Sequence, residues 1–320
     1  MRSGTIALAT LLAGCQGLPT GHPIEAALVC PSPASAAVEA AVPASEPHVA
    51  PPVATAPVAP PTRRARIGLA LGGGAARGFA HIGVIQVLEE NGIHPDVITG
   101  TSAGSLVAAM YASGKSGGQL ATAAAGMDES TITDWSFPGR GLIRGEALAQ
   151  YVRDATGRLP LERMKIALGI VATDLDSGKG IVFRRGDVGT AVRASSAVPA
   201  VFQPVRIGTH EYVDGGLTSP VPVRAAREMG ADVVIAVDIS QPPDGGATGD
   251  ALHMLLQTFA IMGRSINGFE LREADIVLRP KLAGVGGADF GSRKRSIQAG
   301  RDAAQAQLAL LRERIIAKTR

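Results

Sequence analysis

The sequence predicts an α/β fold: a parallel or mostly parallel sheet with helices on both faces. Three observations predict it. From Arg66 onward, short apolar runs of strand length alternate with longer segments of helical periodicity. Glycines gather where a run ends and a helical segment begins. Aromatic residues are only 3% of the 320-residue chain while glycines number 40, which suits close helix-on-sheet packing better than a β-sandwich.

The run Ile67–Leu71 is bounded by glycines, as a buried parallel strand is. Gly72-Gly73-Gly74 breaks it, and a helix is expected from about Arg77 to Glu90, with Ile82, Ile85, Val87 and Leu88 on its apolar face and Asn91-Gly92 as its stop. Val97-Ile98-Thr99 is the second strand, Gly100 to Gly104 a turn, and a helix follows through about Tyr111. Ile166–Thr173 and Ile181–Phe183 read as strands, and Tyr212-Val213 as a strand end. Val233–Val237 is a fully apolar strand, and Ile276–Leu278 the last. Further helices are expected near Gly145–Thr156, Val221–Met229, Ala251–Asn267 and Ser292–Ile316. Residues 114–144 and 245–249 read as mobile covers, the first containing Trp135 and Phe137.

Composition removes several classes of function. The net charge is +3 with no dense basic block, which argues against nucleic acid as a partner. Neither C-x-x-C nor H-E-x-x-H occurs, so no metal or other cofactor is expected. The two cysteines, Cys15 and Cys30, both precede the globular part.

The N-terminus reads as an address. Arg2 is followed by an apolar stretch, Thr5 to Ala13, too short to span a bilayer. Leu12-Ala13-Gly14-Cys15 resembles a bacterial lipobox. That resemblance implies a signal peptide over residues 1–14, a diacylglycerol on Cys15, and a place in the cell envelope at the periplasmic side of the outer membrane. A misassigned start ahead of a cytoplasmic enzyme is the competing reading. Residues 15–62, rich in Pro and Ala, read as an extended tether, and residues 63–320 as the functional domain.

Two loops carry chemistry. Gly100-Thr101-Ser102-Ala103-Gly104 matches G-x-S-x-G between an expected strand and helix. A nucleophilic Ser102 there must occupy a sharp turn with its Oγ above the sheet, so Gly100 and Gly104 leave room for the close approach. The helix that follows favours developing negative charge. A plain chain-reversing turn is the bland alternative. In the first loop, Gly72-Gly73-Gly74-Ala75-Ala76-Arg77-Gly78, successive backbone N–H groups can converge on an oxyanion or a phosphate. A dinucleotide fingerprint fails because Arg77 occupies the place of its third glycine and no acidic residue follows the second strand. Asp214-Gly215-Gly216 places a carboxylate at a strand end, where it either faces a site or caps an ordinary turn.

In this order and spacing, the Gly-rich loop, G-x-S-x-G and D-G-G resemble the patatin-like phospholipase family. The stretches Phe79–Val84, Ala172–Leu175 and Ala194–Pro204 resemble it as well. The resemblance covers about residues 66–240. It implies a three-layer α/β/α sandwich and a Ser–Asp dyad without histidine, in which Ser102 attacks a lipid ester carbonyl and Asp214 accepts its proton. It also implies that Gly72, Gly73 and Gly74 donate N–H groups to the oxyanion, with Arg77 beside them. A Ser-His-Asp triad would have to use His210 or His253, neither in a recognisable catalytic loop, and His81 reads as a packing residue. The expected substrate is a phospholipid or lysophospholipid. Acyl transfer, thioester or small-ester hydrolysis, and lipid binding without turnover remain open beside it.

Overall fold

The structure, a computed structural model, describes residues 63–127, 130, 132–134, 140–240 and 249–319. Cys15, Cys30, the expected tether, Trp135, Phe137 and most of residues 245–249 lie outside the described residues.

The expected alternation is present, with several elements added. In chain order, β1 (Ile67–Leu71) leads to α1 (Phe79–Glu90), and β2 (Val97–Thr101) to α2 (Ala103–Ala112) and α3 (Gly117–Ala125). Next come β3 (Gly141–Ile143), α4 (Glu146–Ala155), β4 (Ala167–Asp174), β5 (Gly180–Phe183) and α5 (Val188–Ser195). A run of short strands follows: β6 (Ala200–Phe202), β7 (Val205–Ile207) and β8 (His210–Asp214). The chain then forms α6 (Val223–Glu228), β9 (Val233–Val237), α7 (Ala251–Glu270), β10 (Ile276–Leu278) and α8 (Arg293–Lys318).

The main sheet runs β10-β9-β1-β2-β4-β8-β7, and β5 also pairs with β4. From β10 to β4 the neighbours are parallel; β5, β8 and β7 are antiparallel to their partners. Side-chain alternation separates two cores. Leu69, Leu71, Ile98, Ile170, Ile235 and Val237 project into the larger core with α1, α2 and α8. Ala70, Val234 and Ala236 project to the opposite face, against Val223 and Ala226 of α6. Both faces are therefore covered, as the continuous apolar runs of β1 and β9 require.

Strand pairing on β4 positions the site. Residues 167–171 pair with β2, residues 170–173 with β5, and residues 172–174 with β8. Because β5 overlaps both other ranges, it occupies one edge of β4 alone. β2 and β8 share the other edge end to end. Thr101 stands opposite Val171 and Asp214 opposite the next residue, Ala172. The residue that follows β2 and the last residue of β8 are thereby brought together by the ladder itself.

The expectation of a mobile cover across residues 114–144 needs correction. Ser116 and Gln119 form a reciprocal capping box that starts α3, and Leu120 and Ala124 are buried in the larger core. This part of the segment belongs to the body of the fold.

Candidate active site

Ser102 sits where β2 stops and α2 begins, with φ 52° and ψ −124°. A side chain at positive φ costs on the order of 1–3 kcal/mol and persists only where its surroundings impose it. Here they do. The Ser102 N–H donates to Ser195 Oγ at 2.9 Å, and that hydroxyl, fully buried at the end of α5, donates to Val171 O at 2.5 Å. The Ser102 carbonyl accepts from both the amide and the hydroxyl of Ser105. A Cβ at Gly104 would collide with the Leu71 carbonyl oxygen, and one at Gly100 would lie 2.6 Å from the Gly104 carbonyl oxygen. These two positions accept only glycine because the turn folds back on itself at Gly100 and is pressed against the end of β1 at Gly104.

Asp214 is held from several directions. Its N–H donates to Ala197 O at 2.9 Å, its carbonyl accepts from Thr173 Oγ1 at 2.9 Å, and its Oδ1 accepts from the Gly216 N–H at 2.7 Å. Oδ2 is buried and engaged by no formed hydrogen bond. Burial raises the carboxyl pKa from 3.8 to about 6, against the lowering effects of the Gly216 amide and the Ser102 hydroxyl. A carboxylate with one tethered oxygen, one open oxygen and a raised pKa can accept a proton from the neighbouring serine near neutral pH.

The Gly-rich loop abuts this pair, since a Cβ at Gly73 would lie 3.2 Å from Ser102 Cβ. Its amides are not deployed as expected. The Gly72 N–H donates to Val237 O and the Gly73 N–H to Pro220 O, so both serve to anchor the loop to the sheet. Among the described residues, no backbone hydrogen bond engages the N–H of Gly74, Ala75 or Ala103. The N–H groups of Gly72 and Gly73, expected as oxyanion donors, are thus engaged within the fold, while those of Gly74, Ala75 and Ala103, the last at the N-terminus of α2, are left unengaged by the backbone network. Ala75 itself is held at φ 51°.

These groups line one cleft of about 330 Å³, with Gly74, Ala75, Arg77, Ser102 and Asp214 on one part of its wall. Arg77 is half-buried there, and burial lowers its pKa. The remaining wall is largely α7, through Leu256, Phe259, Ala260, Gly263 and Asn267. Asn267 is 3% exposed, and neither its side-chain nitrogen nor its oxygen has a hydrogen-bond partner. A buried amide of this kind beside a cleft is available to a polar group of a bound molecule.

No histidine among the described residues lines the cleft. His81 is fully buried, bonds Gly72 O through Nε2 at 2.8 Å, and has its pKa lowered to about 4 by burial. Because the carbonyl can only accept, Nε2 carries the proton, and neutral His81 braces the Gly-rich loop from behind. His253 pairs with Asp250 at the start of α7, and His210 with Asp174 at 3.1 Å. Asp174, Asp176 and His210 are close enough together to hold a metal ion, but none of them lines the cleft.

Ser195 and Asn267 went unassigned in the sequence reading. Ser195 lies in the Ala194–Pro204 stretch, but its support of the elbow depends on how α5 meets β4. Asn267 reads only as one polar residue in an apolar helix.

The sheet, the strained serine elbow and the facing carboxylate define an α/β protein of the elbow type, with its site at the carboxyl ends of the parallel strands. Residues 69–227 match the family model described as patatin-like phospholipase, and the chain belongs to that family. An uncharacterized NTE family protein of Mycobacterium tuberculosis is 38% identical over 185 residues, covering 57% of this chain and 51% of that protein. A second from the same organism is 32% identical over 274 residues, covering 76% and 46%. Patatin-like phospholipase domain-containing protein 6 of Mus musculus is 32% identical over 197 residues, covering 58% of this chain and 14% of that one. The chain spans about half the length of the first curated relatives it matches. Among solved structures, VipD from Legionella pneumophila shares the fold, with a TM-score of 0.54 at 15% identity over 81% of this chain and 68% of that one.

Proposed function

We propose that this protein is a serine acyl hydrolase of lipid carboxylic esters, phospholipid or lysophospholipid, acting through Ser102 and Asp214. The observation that carries the reading is the junction on β4, which sets the strained Ser102 beside a buried carboxylate whose Oδ2 is open. Ser102 Oγ attacks the ester carbonyl while its proton passes to Asp214 Oδ2. The amides of Gly74, Ala75 and Ala103 receive the oxyanion. Collapse of the tetrahedral intermediate expels the alcohol, which takes the proton from Asp214 and leaves an acyl group on Ser102. Water then repeats the sequence in reverse roles, with Asp214 as base, and releases the fatty acid.

The apolar wall supplied by α7 suits an acyl chain, and the buried Asn267 amide suits the ester or glycerol oxygens. Family membership supports the lipid ester as substrate class. The N-terminal reading stands as part of the same proposal: acylation at Cys15 and a tether over residues 15–62 would hold the enzyme at an envelope membrane. Incubation with phosphatidylcholine or lysophosphatidylcholine, followed by fatty-acid analysis, tests the central reading. Fatty acid released by the wild type and not by Ser102→Ala supports it. Equal release by both, or none from either lipid or a short-chain ester, refutes it.

A further inference from the structure

Of the 20 residues of α7, only Asn267 and Glu270 are buried, and both are polar. The outward side also carries large apolar residues. Met254 is 56% exposed, Ile261 51%, Met262 46% and Phe269 64%. At 100° per residue these four fall on one face with Thr258 and Ser265, away from the cleft-lining residues Leu256, Ala260, Gly263 and Asn267. A surface helix ordinarily keeps its outward face polar.

Three further observations say what covers that face. No charged side chain lies on it. Its two hydroxyls are bonded back onto the helix, Thr258 Oγ1 to Met254 O at 2.9 Å and Ser265 Oγ to Ile261 O at 3.3 Å, so the face asks little of water. Basic groups sit at its margin: Arg264 at the cleft side, and Arg272, whose guanidinium lies 5.5 Å from the Phe269 ring centre. Apolar side chains flanked by arginines match acyl tails beneath a layer of phosphate headgroups. The same helix walls the cleft on its other side, where Leu256 is 37% exposed. No helix among the described residues is long and apolar enough to cross a membrane, so α7 would lie along the surface.

We propose that the outward face of α7, formed by Met254, Ile261, Met262 and Phe269, docks the enzyme on a phospholipid surface and delivers lipid past Leu256 into the cleft. This rests on the lipid-ester reading above for its substrate, but its binding step is separable from catalysis.

The test uses the full chain carrying Cys15→Ser, so that no acyl anchor contributes. The probe is a vesicle of phosphatidylcholine with phosphatidylglycerol. The four-fold variant Met254→Gln, Ile261→Gln, Met262→Gln, Phe269→Gln is compared with its parent by co-sedimentation, by phospholipid hydrolysis in vesicles, and by hydrolysis of a soluble short-chain ester. The expected result is a fall of at least about tenfold in vesicle partitioning and vesicle hydrolysis, with soluble-ester turnover unchanged. Equal partitioning of the two proteins would overturn the proposal. So would a parent dimer that becomes a monomer in the variant while partitioning stays the same, since a second copy would then be the occupant.

A single replacement, Ile261→Trp, provides a readout independent of the four-fold variant's folding. Its emission, over the background of Trp135, should shift to the blue on adding vesicles, and unchanged emission would count against docking. If the parent lacks all ester turnover, the hydrolase reading fails while partitioning and emission still decide the docking.

Discussion

The strand ends that carry Ser102 and Asp214 are fixed on every side, whereas α7, which lines the same cleft, is held mainly at its C-terminal turn. At the catalytic wall, backbone approaches backbone so closely that a methyl group at Gly104 would meet the Leu71 carbonyl. Both residues there have named supports: Ser195 behind Ser102, and Thr173, Ala197 and Gly216 around Asp214. On α7, Glu270 accepts a 2.6 Å hydrogen bond from Ser219, while most of the helix surface faces outward. The contrast teaches a division of labour. Proton transfer needs groups pre-set to within a fraction of an ångström, while admission of a long acyl chain needs a wall that can yield.

Substitutions can break either half of this comparison. The largest effect after loss of the nucleophile is expected from Asp214→Asn, which removes the base and should lower kcat for ester hydrolysis about 10³-fold. The same change should stabilise the protein at neutral pH. Burial raises the folded-state pKa of Asp214 above its unfolded value of 3.8, so its favourable contribution is complete below that value and is lost as pH rises through about 6. An uncharged Asn escapes that loss, worth about 3 kcal/mol for a shift of this size. Chemical denaturation at pH 5 and pH 8 should show the gain of the variant widening at the higher pH. In the wild type, turnover should climb about tenfold per unit of pH below about 6 and level off above it, as the carboxylate becomes available.

Two glycines sharpen the contrast between the walls. Gly104→Ala drives a methyl group into the Leu71 carbonyl and should cost about 3 kcal/mol or more, or prevent folding. Gly268→Ala on α7 meets nothing within 4 Å and should raise stability by about 0.5–1 kcal/mol, because alanine is the better helix former. Thermal melts of the two variants would read both signs; similar losses would mean that α7 is packed as tightly as the elbow.

A smaller effect is expected from Ser195→Ala. It leaves the Ser102 N–H and the Val171 carbonyl without their shared partner, costing about 1–3 kcal/mol of stability. With the elbow loosened, kcat should fall more than KM changes. Ser195→Thr, which keeps a hydroxyl, should restore part of the rate.

Much of the catalytic wall is legible in the sequence because its requirements are local. A buried parallel strand must be a continuous apolar run, and an elbow must have glycines at fixed offsets, so Ile67–Leu71, Val233–Val237 and Gly100–Gly104 announce themselves. The deployment of the loop amides is not local. Gly72 and Gly73 spend theirs on Val237 and Pro220, residues more than a hundred positions away, and no spacing within the loop reveals it. The short strands β3 and β6 pair only with each other and are too brief to carry a pattern. The Ser116–Gln119 capping box of α3 was readable, but the segment's Gly and Ala content reads equally well as a loop. For α7, the sequence shows a helix and its apolar residues. Only the tertiary arrangement shows that Met254, Ile261, Met262 and Phe269 face outward while Asn267 and Glu270 face in.

Labelling with a fluorophosphonate probe tests the serine hydrolase reading most directly, because the probe reacts only with a serine activated by its surroundings. The wild type should become covalently labelled, Ser102→Ala should not, and Asp214→Asn should label far more slowly. Labelling that persists in Ser102→Ala, or a folded wild type that takes no label, would contradict the assignment of Ser102 as the nucleophile.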